Sequence, residues 1–193
     1  MLRRLFVTLS TLFFLLVVAY AFAAESREAF GVRFPAEKVV NGKTLKINGA
    51  AGYKVMRFIK IYARALYLER PTRDAREAIE SEQIKQSYIH YVTDMAKVKR
   101  IQESFIKDME KANPPELVKK HRAKIEKHAS WLDKDGTPGM LAITNYVPGK
   151  GLIVYYFGKM KGIIPDKEYA QMYFRSFLGE KADEKRRKGY LGQ

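Results

Sequence analysis

Residues Val55 to Leu68 read VMRFIKIYARALYL. The stretch holds no Gly or Pro and is rich in β-branched and aromatic side chains, the composition that suits a pleated surface. Phe58, Lys60 and Tyr62 alternate with Ile59, Ile61 and Ala63. That period of two sends successive side chains to opposite faces of a sheet. The segment therefore reads as one long strand, closed by Pro71. On its N-terminal side, Asn48-Gly49-Ala50-Ala51-Gly52 reads as a small-residue turn. Before that, Val39 to Ile47 (VVNGKTLKI) reads as a hairpin, with Asn41-Gly42 supplying the positive φ of a tight turn.

Outward in the C-terminal direction, Thr72 to Glu82 predicts a short polar helix with Thr72 as N-cap. Tyr88 to Val92 predicts a strand. Met95, Val98, Ile101, Phe105 and Met109 fall three and four apart, the mark of an amphipathic helix, and Asn113-Pro114-Pro115 ends it. Leu117, His121, Ile125, His128 and Leu132 share the face of a second helix. Met140–Val147 and Leu152–Phe157 read as strands joined by Pro148-Gly149-Lys150-Gly151, and Met160–Ile164 as a short third. Lys167–Leu178 predicts a helix capped by Asp166 and closed by Gly179. Strands, helices, strands and a helix in that order predict an α+β fold, a mostly antiparallel sheet with helices layered on one face.

At the N-terminus, Arg3 and Arg4 precede an uncharged run from Leu5 to Ala24, and Ala21-Phe22-Ala23 is a small-x-small cleavage signal. The expectation is a signal peptide over residues 1–23, a domain over 24–193 and a periplasmic location. The competing expectation is an uncleaved helix that anchors the chain in the inner membrane.

The chain of 193 residues carries a formal net charge of +15. Its lysines are spread rather than massed, and the densest run, Lys181 to Lys188 (KADEKRRK), contains acids. This describes a soluble basic surface with weak attraction to anionic membrane. No zinc-finger, helix-turn-helix or RNP pattern is present, so nucleic acid is not an expected partner. The chain has no cysteine, which excludes disulfides and thiolate chemistry. His121 and His128 lie seven apart with no third ligand placed by the sequence, so they read as partly exposed helix residues and no metal site is expected. Nucleophile motifs are absent, and Ser104, Ser130 and Ser176 stand alone. No catalytic set and no cofactor are predicted. The glycines around Lys150 lie between strands, so they read as a hairpin turn rather than a phosphate cradle.

Polar residues on the long strand carry the functional question. Lys54, Arg57, Lys60, Tyr62 and Arg64 sit among apolar neighbours. A cation turned inward beside Tyr62 would need an anion. The segment offers no acid before Glu69, which leaves a ligand carboxylate or phenolate as the source. The alternative is that these basic residues face solvent.

Phe34-Pro35, Asn41-Gly42-Lys43-Thr44-Leu45, Asn48 to Lys54, Lys60 to Glu69, Val147 to Gly151, Gly162 to Pro165, Phe177 to Glu180 and Tyr190-Leu191-Gly192 together resemble the bacterial chalcone-isomerase-like family, from about Phe34 to Gly192. The resemblance implies an open-faced β-sandwich, one large antiparallel sheet covered on one face by helices, with a cleft between them. In the plant enzymes that cleft closes a chalcone to a flavanone. In the fatty-acid-binding relatives, an arginine and a tyrosine hold a carboxylate. By that resemblance Lys54 stands at the arginine's place and Tyr62 at the place of a threonine of the plant enzymes. Arg57 is a nearby substitute cation, and Ser176 and Phe177 fall near pocket-shaping positions. The implied function is non-catalytic binding of a small apolar acid such as a fatty acid, or of a polyphenol-like ligand, with the tail against Val98, Ile101 and Phe105. The alternatives are an isomerase acting on an enone, with Tyr62 and Lys54 on the enolate, and an envelope interaction protein that meets anionic lipid.

Overall fold

The computed structural model describes residues 26–193, so the expected signal peptide lies outside the described residues. Two short strands, β1 (Arg27–Ala29) and β2 (Val32–Phe34), form a separate hairpin. Seven strands then build one sheet: β3 (Glu37–Val40), β4 (Lys43–Val55), β5 (Ile59–Leu68), β6 (Lys85–Tyr91), β7 (Leu141–Val147), β8 (Gly151–Tyr156) and β9 (Lys159–Ile164). They lie side by side in chain order, and every neighbouring pair is antiparallel. Helix α1 (Ala75–Glu80) links β5 to β6. Helices α2 (Val98–Ala112), α3 (Pro115–Lys120) and α4 (Arg122–Ser130) link β6 to β7, and α5 (Lys167–Leu178) and α6 (Glu184–Tyr190) follow β9. No helix among the described residues is long and apolar enough to cross a membrane.

The main core lies between sheet and helices. Leu66 and Leu68 of β5 meet Met109 of α2, Ile125 of α4 and the aromatic face of α5, whose Tyr169, Phe174 and Leu178 are buried. On the other face, the β1–β2 hairpin brings Phe34 against Leu45, Ala63, Ala65 and Tyr67. The Tyr67 hydroxyl donates to the Pro35 carbonyl at 2.9 Å. The sheet is thus covered by helices on one side and by a small hairpin on part of the other.

Several expectations need correction. The Asn48–Gly52 segment is no turn, because it runs through the middle of β4 with a register shift between Ile47 and Gly49. Its glycines serve close approach. A Cβ on Gly49 would lie 2.1 Å from the Gly189 carbonyl oxygen, and one on Gly52 would lie 2.2 Å from the Phe30 ring. The break comes later, at Met56 to Phe58, inside the run that reads as continuous strand. Helix α1 is capped by Asp74, whose carboxylate accepts from the amides of Arg76 and Glu77, while Thr72 braces Asp74. The predicted second helix is two, divided at His121 (φ −106°, ψ 14°). His121 and His128 are buried rather than partly exposed. The charged Lys181–Lys188 run contains the start of α6, capped by Asp183 and anchored by buried Tyr190.

Candidate functional site

A cavity of about 370 Å³ lies between the sheet and the helices α2, α5 and α6. Strand alternation places the sheet's contribution. Register pairs Tyr53 of β4 with Tyr62 of β5, Tyr62 with Tyr91 of β6, and Arg64 with Ile89. All five side chains line the cavity. From above come Ile101 and Phe105 of α2, Tyr173 and Phe177 of α5, and Arg186 and Tyr190 of α6.

Arg64 dominates the electrostatics. Its guanidinium carbon lies 4.3 Å from the Phe177 ring centre, 5.4 Å from that of Tyr62 and 5.8 Å from that of Tyr190. Its Nε is buried and has no hydrogen-bond partner. Among the described residues no carboxylate comes within 4.0 Å of the group. Burial opposes the charge, but at the very high pH where a guanidinium titrates the ionised Tyr62, Tyr190 and Tyr173, with Asp108, outweigh that and push its pKa upward. The guanidinium stays cationic, as arginine does in proteins. A buried cation held only by aromatic faces gains some cation–π attraction, yet keeps unmet donors, each of which costs about 1–3 kcal/mol. The side chain still has some accessible surface, and that surface faces the cavity.

The phenols complete the donor set. Burial raises the pKa of Tyr62 and of Tyr190, so both keep their protons and can donate. The Tyr190 hydroxyl is buried with no partner. Tyr53 stacks on Tyr62 with ring centres 5.1 Å apart, and the Arg186 guanidinium sits 4.7 Å from Tyr53. Five basic side chains (Arg64, Arg100, Lys111, Lys181 and Arg186) line the cavity against two acids, Asp108 and Asp183, and Asp183 is engaged by Arg186 at 3.4 Å. The lining therefore combines aromatic and aliphatic side chains with an excess of positive charge, which suits an anionic head on an apolar body.

The structure brings Tyr62, Ser176 and Phe177 onto this wall. The Ser176 hydroxyl is already used, donating to the Tyr173 carbonyl at 2.7 Å. Lys54 and Arg57 are not on the wall. Lys54 is exposed, and its ammonium, like that of Lys60, lies 5.3 Å from the Phe30 ring on the opposite side of the sheet. Arg57 is exposed in the β4–β5 turn. For Lys54 the cause is alternation, because its neighbour Tyr53 faces the cavity; for Lys60 it is a bulge. Tyr53 pairs with Tyr62 but Lys54 pairs with Lys60, so Ile61 is the extra residue. One inserted residue turns Lys60 away from the face that Tyr62 shares. The cation beside Tyr62 is Arg64, two residues on in the regular part of β5, where alternation alone would have found it.

Two comparisons place this arrangement among known proteins. A fatty-acid binding protein of Arabidopsis thaliana has a similar solved structure, with a TM-score of 0.69 and 14% sequence identity over 86% of this chain and 96% of that one. No curated protein matches the chain in sequence. The sequence does match the family described as chalcone isomerase-like over residues 26–192. This match and the seven-stranded antiparallel sheet with its helical layer lead to one conclusion: the chain belongs to the chalcone isomerase-like family.

Proposed function

We propose that this protein binds a small apolar acid, of the fatty-acid class, and holds its carboxylate on Arg64. The single observation behind this reading is an enclosed guanidinium with no protein acceptor, facing a cavity lined by aromatic and aliphatic side chains. Arginine's planar fork matches a carboxylate. Tyr62 and Tyr190 donate from either side, and the tail lies along Ile101, Phe105 and Ile89. Each charge-assisted hydrogen bond in such a site is worth about 1.5–3 kcal/mol. The fold likeness to a fatty-acid binding protein supports the same reading. Organic extraction of the purified protein, followed by mass spectrometry and by titration with a labelled fatty acid, tests it. A copurifying acid or saturable one-to-one uptake is expected, and an empty cavity that takes up no acid contradicts it.

Binding outside the cytoplasm is part of the proposal. Its support is the sequence alone, the arginine pair and apolar run that end at Ala21-Phe22-Ala23. Cell fractionation with mass measurement of the mature chain checks it. A periplasmic chain beginning at Ala24 is expected, and a cytoplasmic full-length chain contradicts it.

A further inference from the structure

Among the described residues four tight turns hold two consecutive residues at positive φ: Phe30-Gly31, Asn41-Gly42, Met56-Arg57 and Phe157-Gly158. Three of them use glycine second, as the geometry favours. The fourth, between β4 and β5, uses Met56 (φ 49°) and Arg57 (φ 66°). Non-glycine residues held there are strained, at a cost of order 1–3 kcal/mol each. The same turn leaves Met56 75% and Phe58 73% exposed. A turn that costs conformational energy and also wets two large apolar side chains breaks two local rules at once, and such places mark function.

The turn is not alone. Register places the β4–β5 turn, the C-terminal end of β6, the N-terminal end of β7 and the β8–β9 turn at one end of the sheet. Of the seven exposed large hydrophobics among the described residues, five belong to this end: Met56, Phe58, Met95, Met140 and Met160. Val39 lies at the opposite end, beside Asn41-Gly42. The turn's own charges, Lys54, Arg57 and Lys60, are all positive, with no acid between them. Of the acids of this end, Asp133 is taken by Lys161 at 2.7 Å and Asp135 by Lys97 at 3.0 Å, and the exposed Asp94 beside Met95 is outnumbered by the cations around it. The cavity reaches the same end, because Val55, Ile61 and exposed Met95 are part of its lining.

We infer that this end of the sheet docks on an anionic lipid bilayer, with Met56 and Phe58 entering the headgroup boundary, and that the cavity exchanges its apolar acid there. Apolar and aromatic side chains ringed by lysine and arginine are the composition of interfacial anchors. The basic residues give the attraction to anionic lipid and its salt dependence. The docking stands on the turn, and its purpose as a loading site rests on the acid-binding reading above.

The chain has no cysteine, so a single nitroxide can be placed on the full-length chain at Met56→Cys, with Val39→Cys as the far-end control. Vesicles of phosphatidylglycerol and phosphatidylcholine in equal parts are compared with phosphatidylcholine alone. Depth is read by collision with a lipid-soluble and a water-soluble relaxant. Because depth belongs to one position, it reports on this turn whatever else holds the chain to the vesicle. The nitroxide at position 56 is expected to enter the interface of anionic vesicles while that at position 39 stays aqueous. Replacing Lys54, Arg57 and Lys60 with Gln is expected to lower occupancy of the interface about a hundredfold, and Phe58→Ser to lower it further. An aqueous position 56, equal insertion into neutral vesicles, or concentration-dependent immobilisation without lipid, which would mark a second copy as the occupant, overturns the inference. Uptake of a soluble labelled acid in lipid-free buffer is measured on the same labelled chains. Uptake without insertion defeats the docking alone, and insertion without uptake defeats the acid-binding reading alone.

Discussion

Arg64 and Phe177 stack on each other at the cavity wall, guanidinium carbon to ring centre 4.3 Å, and among the described residues no carboxylate lies within 4.0 Å of the guanidinium. A strand contributes the cation and a helix the ring, so the contact exists only when α5 lies on the sheet. The molecule thereby keeps an arginine where water is scarce and leaves its donors for something else. The chemistry of the cavity follows from that one choice.

Tyr62 stands beside this cation with its phenol protonated, its pKa raised by burial. Tyr62→Phe removes one donor and keeps the ring that stacks on Tyr53. Acid affinity is expected to fall about five- to tenfold, the worth of one hydrogen bond, with an unchanged melting temperature. Unchanged affinity by isothermal titration would remove Tyr62 from the site.

Gly49 holds the C-terminal helix to the sheet. An added Cβ would lie 2.1 Å from the Gly189 carbonyl oxygen and 2.7 Å from that of Tyr190, both backbone atoms that cannot turn aside. The Asn48 amide also donates to the Tyr190 carbonyl at 2.8 Å. Gly49→Ala is expected to destabilise by about 2–3 kcal/mol and to weaken acid binding, because α6 carries Tyr190 and Arg186. Denaturant unfolding checks it, and a change below about 0.5 kcal/mol would contradict the packing described.

His128 is buried among Phe105, Trp131 and Tyr173, with Nδ1 3.1 Å from the Tyr169 hydroxyl. Burial pushes its pKa down from 6.5 to about 3. Between those values the unfolded chain binds a proton that the native chain refuses. Its contribution to stability is therefore full above pH 6.5 and is lost as pH falls towards about 3. Urea unfolding at several pH values in that window is expected to show a slope of up to about 1.4 kcal/mol per pH unit from this group, flattened in His128→Gln. Identical slopes in the two proteins would contradict a neutral buried imidazole.

Lys85 is buried, and its ammonium donates to the Ile79 carbonyl at 2.7 Å. Burial lowers its pKa from 10.5 to about 8, against a smaller opposing pull from Glu82. Above about 8 the native chain has released a proton that the unfolded chain keeps until near 10.5. This group therefore makes stability rise with pH across that interval. Chemical unfolding between about pH 8 and about pH 9.5, below the range where unfolded tyrosines ionise, is expected to show the rise in the native sequence and not in Lys85→Met. A rise of equal size in both would assign it elsewhere.

Much of the architecture is legible in the sequence where local signals agree. Asn41-Gly42 carries its turn type in its residues, and Asp166 and Gly179 bound α5 where the spacing of apolar residues says they should. The cation of the site is less legible. Lys54, Lys60 and Tyr62 would share one face only if the strand ran unbroken, and two local events prevent that. A turn forms at Met56-Arg57 without the glycine that would announce it, and a bulge at Ile61 reverses the facing of Lys60. Neither leaves a mark in composition, because each is decided by pairing with another strand. Arg64 was within reach, since it lies two residues from Tyr62 with no irregularity between them. The α6 contribution is hidden for another reason. Its charged sequence looks solvated until Tyr190, whose ring packs on Phe177 with centres 5.5 Å apart, while the backbone at Gly189 and Tyr190 closes on the distant glycine and alanine patch of β4.

The most direct test of an arginine held for a ligand is Arg64→Met, read for stability and affinity in the same protein. Without ligand, removing an unpaired buried charge in favour of an apolar chain of similar length is expected to leave the fold as stable as before or more stable by about 1–4 kcal/mol. Affinity for a fatty acid is expected to fall about a hundredfold, the worth of a two-pronged charge-assisted contact. A variant that binds the acid as tightly as the native chain, or that unfolds because Arg64 was holding the structure together, would contradict the assignment.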